Sequence, residues 1–379
     1  KTLRPRLSDF QTFRHMKTRP TFLPLLLLAL LAGSPLNAQV RLPRLISDGM
    51  VLQRDTELKI WGWASPGENV TVEFTGTKLS ATADASGEWM VILPPLKAGG
   101  PHTMTFEASN KLTVNDILIG DVWLCSGQSN MELPVRRVRP LYEAEIAAAE
   151  NNMIRSFTVP KEYSFSGPRS DLSGGKWVAA GPETVLDFSA VAWFFAMEIN
   201  KTYGVPVGLL TSAFGGSPAE AWISEESLKE FPEYLKELQL LRTDSYIKNI
   251  ETEDRLRIAD WYRNLQQADA GYKTPGVRWY EENLDTDDWK SITVPGYWSS
   301  TPLKGTNGAV WFRKELDIPS PAAGMPATVN LGRIVDADSA FINGTFIGTV
   351  SYQYPPRWYT VPAGVLKAGK NVLTVKVIS

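Results

Sequence analysis

The run Gly120-Asp121-Val122-Trp123-Leu124-Cys125-Ser126-Gly127-Gln128-Ser129-Asn130-Met131 carries an apolar strand straight into a tight polar turn with a serine at its tip. Such a turn holds a hydroxyl clear of the backbone, where a base can reach it, and aims backbone N–H groups at a developing oxyanion. The chemistry open to these residue types is acyl transfer through Ser129. Gln128 and Asn130 flank the serine and can orient the turn through their side-chain amides. Met131 stands where the nucleophile elbow of α/β-hydrolases requires glycine, which disfavours that fold.

What the residues do not offer is a base. The chain has two histidines, His15 and His102. His15 precedes an export-like segment, and His102 follows Gly100-Pro101 in what reads as a solvated loop. Asp121, eight residues before Ser129, reads as fixing a strand end. Without an imidazole, general-base assistance worth about 10²–10⁴-fold is lost. Cys125 is the one cysteine, so no intramolecular disulfide is possible, and it reads as buried packing. There is no histidine pair, and the acidic residues are scattered along charged segments; neither a metal nor a cofactor is expected.

The elements that must position Ser129 follow from periodicity. Residues 40–115 alternate in the period-two manner of half-buried strands at Leu58–Trp63, Val70–Phe74, Trp89–Leu93 and Thr103–Phe106. Turn signals at Ser65-Pro66-Gly67, Ala85-Ser86-Gly87 and Ala98-Gly99-Gly100-Pro101 separate them, and a β-sandwich is the expected form. From Ile117 to Cys125 the apolar run is nearly continuous, as in a strand covered on both faces. A helical stretch with Glu143 and Glu145, a helix at Ala190–Tyr203 and a buried strand at Val205–Leu210 then predict a layered α/β domain. Glu225–Gln267 reads as helical and charged. After Asp269 the chain turns β again, marked by Trp279, Trp289, Trp298, Trp311 and Trp358, with Asn343-Gly344 as a hairpin turn. The strand at Asn371–Ile378 runs to the last residue, which predicts a continuation beyond Ser379.

Composition narrows the function classes. A hydrophobic fraction of 43% supports buried cores, and a net charge of -2 gives no basic footprint for nucleic acid. Met16, Lys17 and Arg19 lead into the apolar run Leu23–Ala32 and then Asn37-Ala38-Gln39, the layout of a secretory signal peptide cleaved after Ala38. Residues 1–15 lie upstream of the plausible start at Met16. The apolar core is too short for a membrane span, and export to a bacterial periplasm or exterior is expected.

The Ser129 segment resembles the first sequence block of the sialate O-acetylesterase family, within the SGNH-type hydrolases. Ser47–Arg54 and Gly62–Gly67 resemble the opening of its N-terminal β-domain. Val205–Leu210 followed by Ala213-Phe214-Gly215-Gly216-Ser217-Pro218-Ala219-Glu220-Ala221-Trp222 looks like its second block. The resemblance implies a multidomain chain: a β-sandwich at 40–115, the first part of an α/β/α SGNH-hydrolase-like catalytic domain at 116–268, and an inserted, galactose-binding-like β jelly roll at 269–379. It implies Ser129 as nucleophile, with oxyanion donors from the Ser129 N–H and from Gly215 or Gly216, the choice between the two left open. Glu220 and Trp222 line or brace the site. The family's third block and its Asp-x-x-His pair, which normally follow the insert, do not occur before Ser379. The implied substrate is an O-acetylated sialic acid or another acetylated glycan. The alternative is a non-catalytic, secreted glycan-binding protein that uses the jelly roll, where Tyr352, Tyr354, Trp358 and Tyr359 either stack on sugars or, as favoured, pack the insert against its neighbour.

Overall fold

The computed structural model describes residues 39–379; the expected signal peptide and His15 lie outside them. The chain opens with β1 (Val51–Gln53), β2 (Leu58–Trp63), β3 (Asn69–Phe74), β4 (Thr77–Thr82), β5 (Glu88–Leu93) and β6 (Gly99–Glu107). A long strand follows, β7 (Lys111–Gly127), and then a one-turn helix, α1 (Ser129–Glu132). Next come α2 (Glu143–Ala147), β8 (Asn151–Thr158), β9 (Trp177–Ala180), α3 (Ala190–Tyr203) and β10 (Val207–Ala213). Four helices close this half: α4 (Glu225–Leu228), α5 (Pro232–Leu241), α6 (Asp244–Ala268) and α7 (Ala270–Lys273). Six more strands complete the chain: β11 (Ala309–Ile318), β12 (Ala327–Gly332), β13 (Ala337–Ile342), β14 (Thr345–Val350), β15 (Arg357–Val361) and β16 (Gly369–Ile378).

Strand β7 organises the first two thirds of the chain. Its first half pairs antiparallel with β6, and β6 continues to β3 and β4. Further along, β1 takes Leu118, Ile119 and Gly120 in parallel, and β10 takes Asp121 to Gly127, also in parallel. β10 then pairs with β8 and β8 with β9, giving the order β4-β3-β6-β7-β10-β8-β9. The expected boundary at 115/116 therefore falls inside one strand, beside Asp116, whose φ of 55° kinks it. Gly120 permits the handover to β10. A Cβ there would stand 2.0 Å from the Pro206 carbonyl oxygen, so any side chain would push β10 off β7.

The alternating apolar residues of β2, β3 and β5 meet those of β6 in one core around Ile60, Val72, Phe74, Trp89, Val91, Met104 and Phe106. The second core lies on one face of β7, β10 and β8, where α3 buries Ala192, Trp193 and Ala196 against Cys125, Ile154 and Leu209. α3 is capped by the Ser189 hydroxyl and ends on Gly204 in the left-handed conformation. On the opposite face Leu124 is 70% exposed, so the described residues cover that face only in part. Arg155, buried in β8, is matched by the Gly49 carbonyl and the Asp116 carboxylate, which satisfies its charge and braces the β7 kink.

The last third forms a four-stranded sheet, β11-β16-β13-β14, with β12 and β15 as a separate pair. Asn343 and Gly344, both at positive φ, make the β13–β14 turn that their sequence predicts. The return to β-structure is later than expected: 274–308 contains no strand, and Trp279, Tyr280 and Tyr272 instead pack as rings against Trp311. Asp269 anchors this packing by accepting from the Trp311 indole and pairing with Lys376. Tyr359 is buried in this module's own core with Ala340, Val375 and Val377, whereas Tyr352, half exposed, reaches the preceding part by accepting a hydrogen bond from Arg137 at 3.0 Å.

Candidate functional site

Three neighbouring parallel strands, β7, β10 and β8, end on the same side. In open α/β sheets, ligands bind at the carboxyl ends of such strands. Here those ends carry α1 after Gly127, the Phe214–Pro218 turn after Ala213, and the segment reaching Lys161 after Thr158. Gly127, at φ 142°, lets the chain swing out of the strand, and Gln128 precedes the first helical residue, Ser129. Ser129 is exposed, as a nucleophile that must meet substrate requires.

The turn after β10 lies against Ser129. The Phe214 N–H donates to the Gly127 carbonyl at 3.0 Å. A Cβ on Gly215 would come within 3.3 Å of the Ser129 Cβ and 2.9 Å of a Glu132 carboxylate oxygen, so a side chain there would press on Ser129 and displace the Glu132 carboxylate. Gln128 donates through its side-chain amide to the Ser217 carbonyl at 2.8 Å. The Ser217 hydroxyl donates to the Phe214 carbonyl at 2.6 Å and accepts from the Trp222 indole at 2.9 Å. Gln128 and Trp222 thus brace the glycine turn. Asn130 is exposed beside Ser129, and Glu220 sits in the 3-10 turn Ala219–Trp222; neither side chain makes a hydrogen bond among the described residues.

Two residues that motif reading missed join this cluster. The Glu132 carboxylate accepts the Gly215 N–H and pairs with the Lys161 ammonium. Burial alone would push the Glu132 carboxyl up. The Lys161 and Gly215 hydrogen bonds, with the charges of Lys161 and Arg137, outweigh it and hold the group below its ordinary value. Glu132 had a signal in the sequence, since it stands three residues after Ser129 and shares its helix face. Lys161 had none, because its approach depends on tertiary placement.

The remaining titratable residues stand apart. His102 is not in a loop: it lies within β6, half-buried, opposite Ile117 and edge-on to Phe74 at 5.8 Å. The Gly99–Pro101 turn signal is absorbed as an irregularity in that strand, which keeps its pairing with β7. Ten residues of strand separate Ile117 from Gly127, which puts His102 on the order of 30 Å from Ser129. Asp121 accepts from the Arg54 guanidinium at 2.7 Å and is committed to that pair. Burial pushes the Cys125 thiol up, which leaves it a poor nucleophile. Among the described residues, no group of three or more histidine, cysteine, aspartate or glutamate side chains could hold a metal ion.

No family model matches the chain. Among curated proteins it is 35% identical to the sialate O-acetylesterase of Rattus norvegicus over 229 residues, which is 56% of this chain and 42% of that protein. It is 36% identical to the sialate O-acetylesterase of Homo sapiens over 211 residues, 48% of this chain and 39% of that protein. A solved carbohydrate acetylesterase from Xanthomonas citri is 43% identical, with a TM-score of 0.48, over 50% of this chain and 43% of that one. The matches span about two fifths of the length of these curated relatives. Over that matched part the chain is similar to sialate O-acetylesterases, which are carboxylic ester hydrolases.

Proposed function

We propose that this chain is part of a sialate O-acetylesterase-family enzyme that removes O-acetyl groups from sialic acids or related glycans, with Ser129 as nucleophile. The Ser129 oxygen attacks the acetyl carbonyl, the sugar hydroxyl leaves with a proton, and water then releases acetate from the acetyl-enzyme. The carrying observation is the contact between Ser129 and the Gly215 backbone at the carboxyl ends of two parallel strands. The oxyanion donors are the Ser129 N–H and, from the loop, the Gly216 N–H, because the Gly215 N–H is already given to Glu132. One such donor is worth about 10²–10³ in turnover. In the full-length protein the proton of Ser129 passes to the histidine of an Asp-x-x-His pair, as the family resemblance implies. None of the described residues offers an imidazole at Ser129. Export to a periplasm or exterior belongs to the same proposal, and sequencing the mature N-terminus tests cleavage after Ala38.

The test is acetate release from O-acetylated sialic acid and from acetylated xylan by the full-length protein and its Ser129→Ala variant. Loss of release with an unchanged melting temperature supports the assignment; unchanged turnover sinks it. A second reading has one observation in its favour: Tyr354, 57% exposed, stands on the last-third module beside Tyr352. If that module binds glycan, Tyr354→Ala weakens binding to acetylated glycans while Ser129→Ala leaves it intact.

A further inference from the structure

We infer that Glu132 is a positioning residue, which fixes the Gly215-Gly216 turn against Ser129, and that Lys161 locks Glu132 in that role. The inference rests on the reading of Ser129 as nucleophile. Ser129 and Glu132 are the first and last residues of α1, three apart and on one helix face. From that face the Glu132 side chain reaches across to the end of β10, where one carboxylate oxygen accepts the Gly215 N–H. The other oxygen takes the Lys161 ammonium, from the segment after β8. One carboxylate therefore ties together the chain ends of β7, β10 and β8, the three strands that frame the site.

The tie has a catalytic consequence. A Cβ on Gly215 would stand 3.3 Å from the Ser129 Cβ, so the turn lies close against the serine. An outward drift of the turn would carry the loop donor away from the oxyanion, and misplacement by about 1 Å can cost on the order of 10²-fold in rate. Lys161 is itself placed, with its ammonium 5.5 Å from the centre of the Phe214 ring, the residue just before Gly215. Its charge favours the ionised form of Glu132, the form that accepts most strongly. Glu132 touches neither the reacting atoms nor the substrate in this scheme; it acts through Gly215.

The experiment compares Glu132→Ala, Glu132→Gln and Lys161→Met in the full-length protein. Two readouts are needed: amide hydrogen exchange over 213–217, and steady-state hydrolysis of p-nitrophenyl acetate. Glu132→Ala is expected to speed exchange of that segment by roughly 10-fold or more, since its tethering bond is gone. It should lower kcat by about 10–100-fold with KM little changed. Glu132→Gln keeps an acceptor for the Gly215 N–H and should restore most of both, while Lys161→Met should fall between. Wild-type exchange and wild-type kcat in Glu132→Ala overturn the inference, as does failure of Glu132→Gln to restore either. If Glu132→Ala does not fold, wild-type behaviour of Lys161→Met overturns the role given to the lysine, and Glu132→Gln decides the rest. Ser129→Ala with undiminished turnover would remove the nucleophile reading alone, because the exchange measurement does not depend on activity.

Discussion

Two carboxylates organise two regions of this molecule in contrasting ways. Glu132 sits about one-third exposed at the mouth of the Ser129 site, holding a lysine and one backbone N–H. Asp338, in β13, is fully buried and holds the Arg357 guanidinium at 2.8 Å and the Tyr359 hydroxyl at 2.7 Å. Arg357 spends its other donors on the carbonyls of Pro355, Asp336 and Tyr352, so the buried charge is matched on every side. The buried cluster fixes a loop and the packing of two sheets. The exposed one fixes a distance between a hydroxyl and a turn, while leaving room for a substrate. Burial makes the first costly to break; accessibility makes the second useful for chemistry.

The sharpest way to test this contrast is to remove each centre. Asp338→Ala should destabilise the protein by about 3–5 kcal/mol, since it strands a buried arginine, and denaturant melts would show it. Loss of less than about 1 kcal/mol would mean that the two regions are not so different. Gly215→Ala should act on function instead: turnover of an acetate ester falls about 10²-fold, and the melting temperature moves little. Tyr359→Phe tests the buried cluster more gently, leaving one Asp338 oxygen short of a donor, for a cost of about 1–3 kcal/mol.

The two clusters should also differ in pH response. Burial, helped by the Asp338 carboxylate, raises the Tyr359 phenol. A raised group stabilises the fold below its ordinary value of 10.0 and loses that contribution as pH climbs past it. The stability gap between wild type and Tyr359→Phe should therefore hold to about pH 10 and shrink above. Glu132 is held low, so its contribution is present above the ordinary glutamate value of 4.5 and fades as pH falls below it. The gap between wild type and Glu132→Gln should close at the acid end, in the opposite direction. The smallest effect belongs to the part-exposed Arg54–Asp121 pair, where Asp121→Asn should leave the melting temperature nearly unchanged.

Much of the positioning frame was legible in the sequence, and the reasons are local. The Ser129 turn announces itself through an apolar run that breaks at Gly127-Gln128. Helix α3 was readable end to end, from its apolar stripe to Gly204. Asn343-Gly344 needs no tertiary help to turn. The unread parts depend on partners far along the chain. Glu132 meets Gly215 across 83 residues, and nothing in either neighbourhood declares that bond. His102 looked like a loop residue because Gly-Gly-Pro normally breaks a strand, yet pairing with β7 carries β6 straight through it. The same strand conceals the expected domain boundary, since alternation before Asp116 and a continuous run after it look like two elements.

β7 also bears on how such a protein can be taken apart. Its 17 residues serve as the edge for β6 at one end and as the bed for β10 at the other. A cut at the 115/116 junction would strip β6 of its partner at Ile117 and leave Ile119 without the core it fills. The opening β-structure is thus no detachable cassette. Any rearrangement that moved it without the serine turn would have to sever a hydrogen-bonded strand.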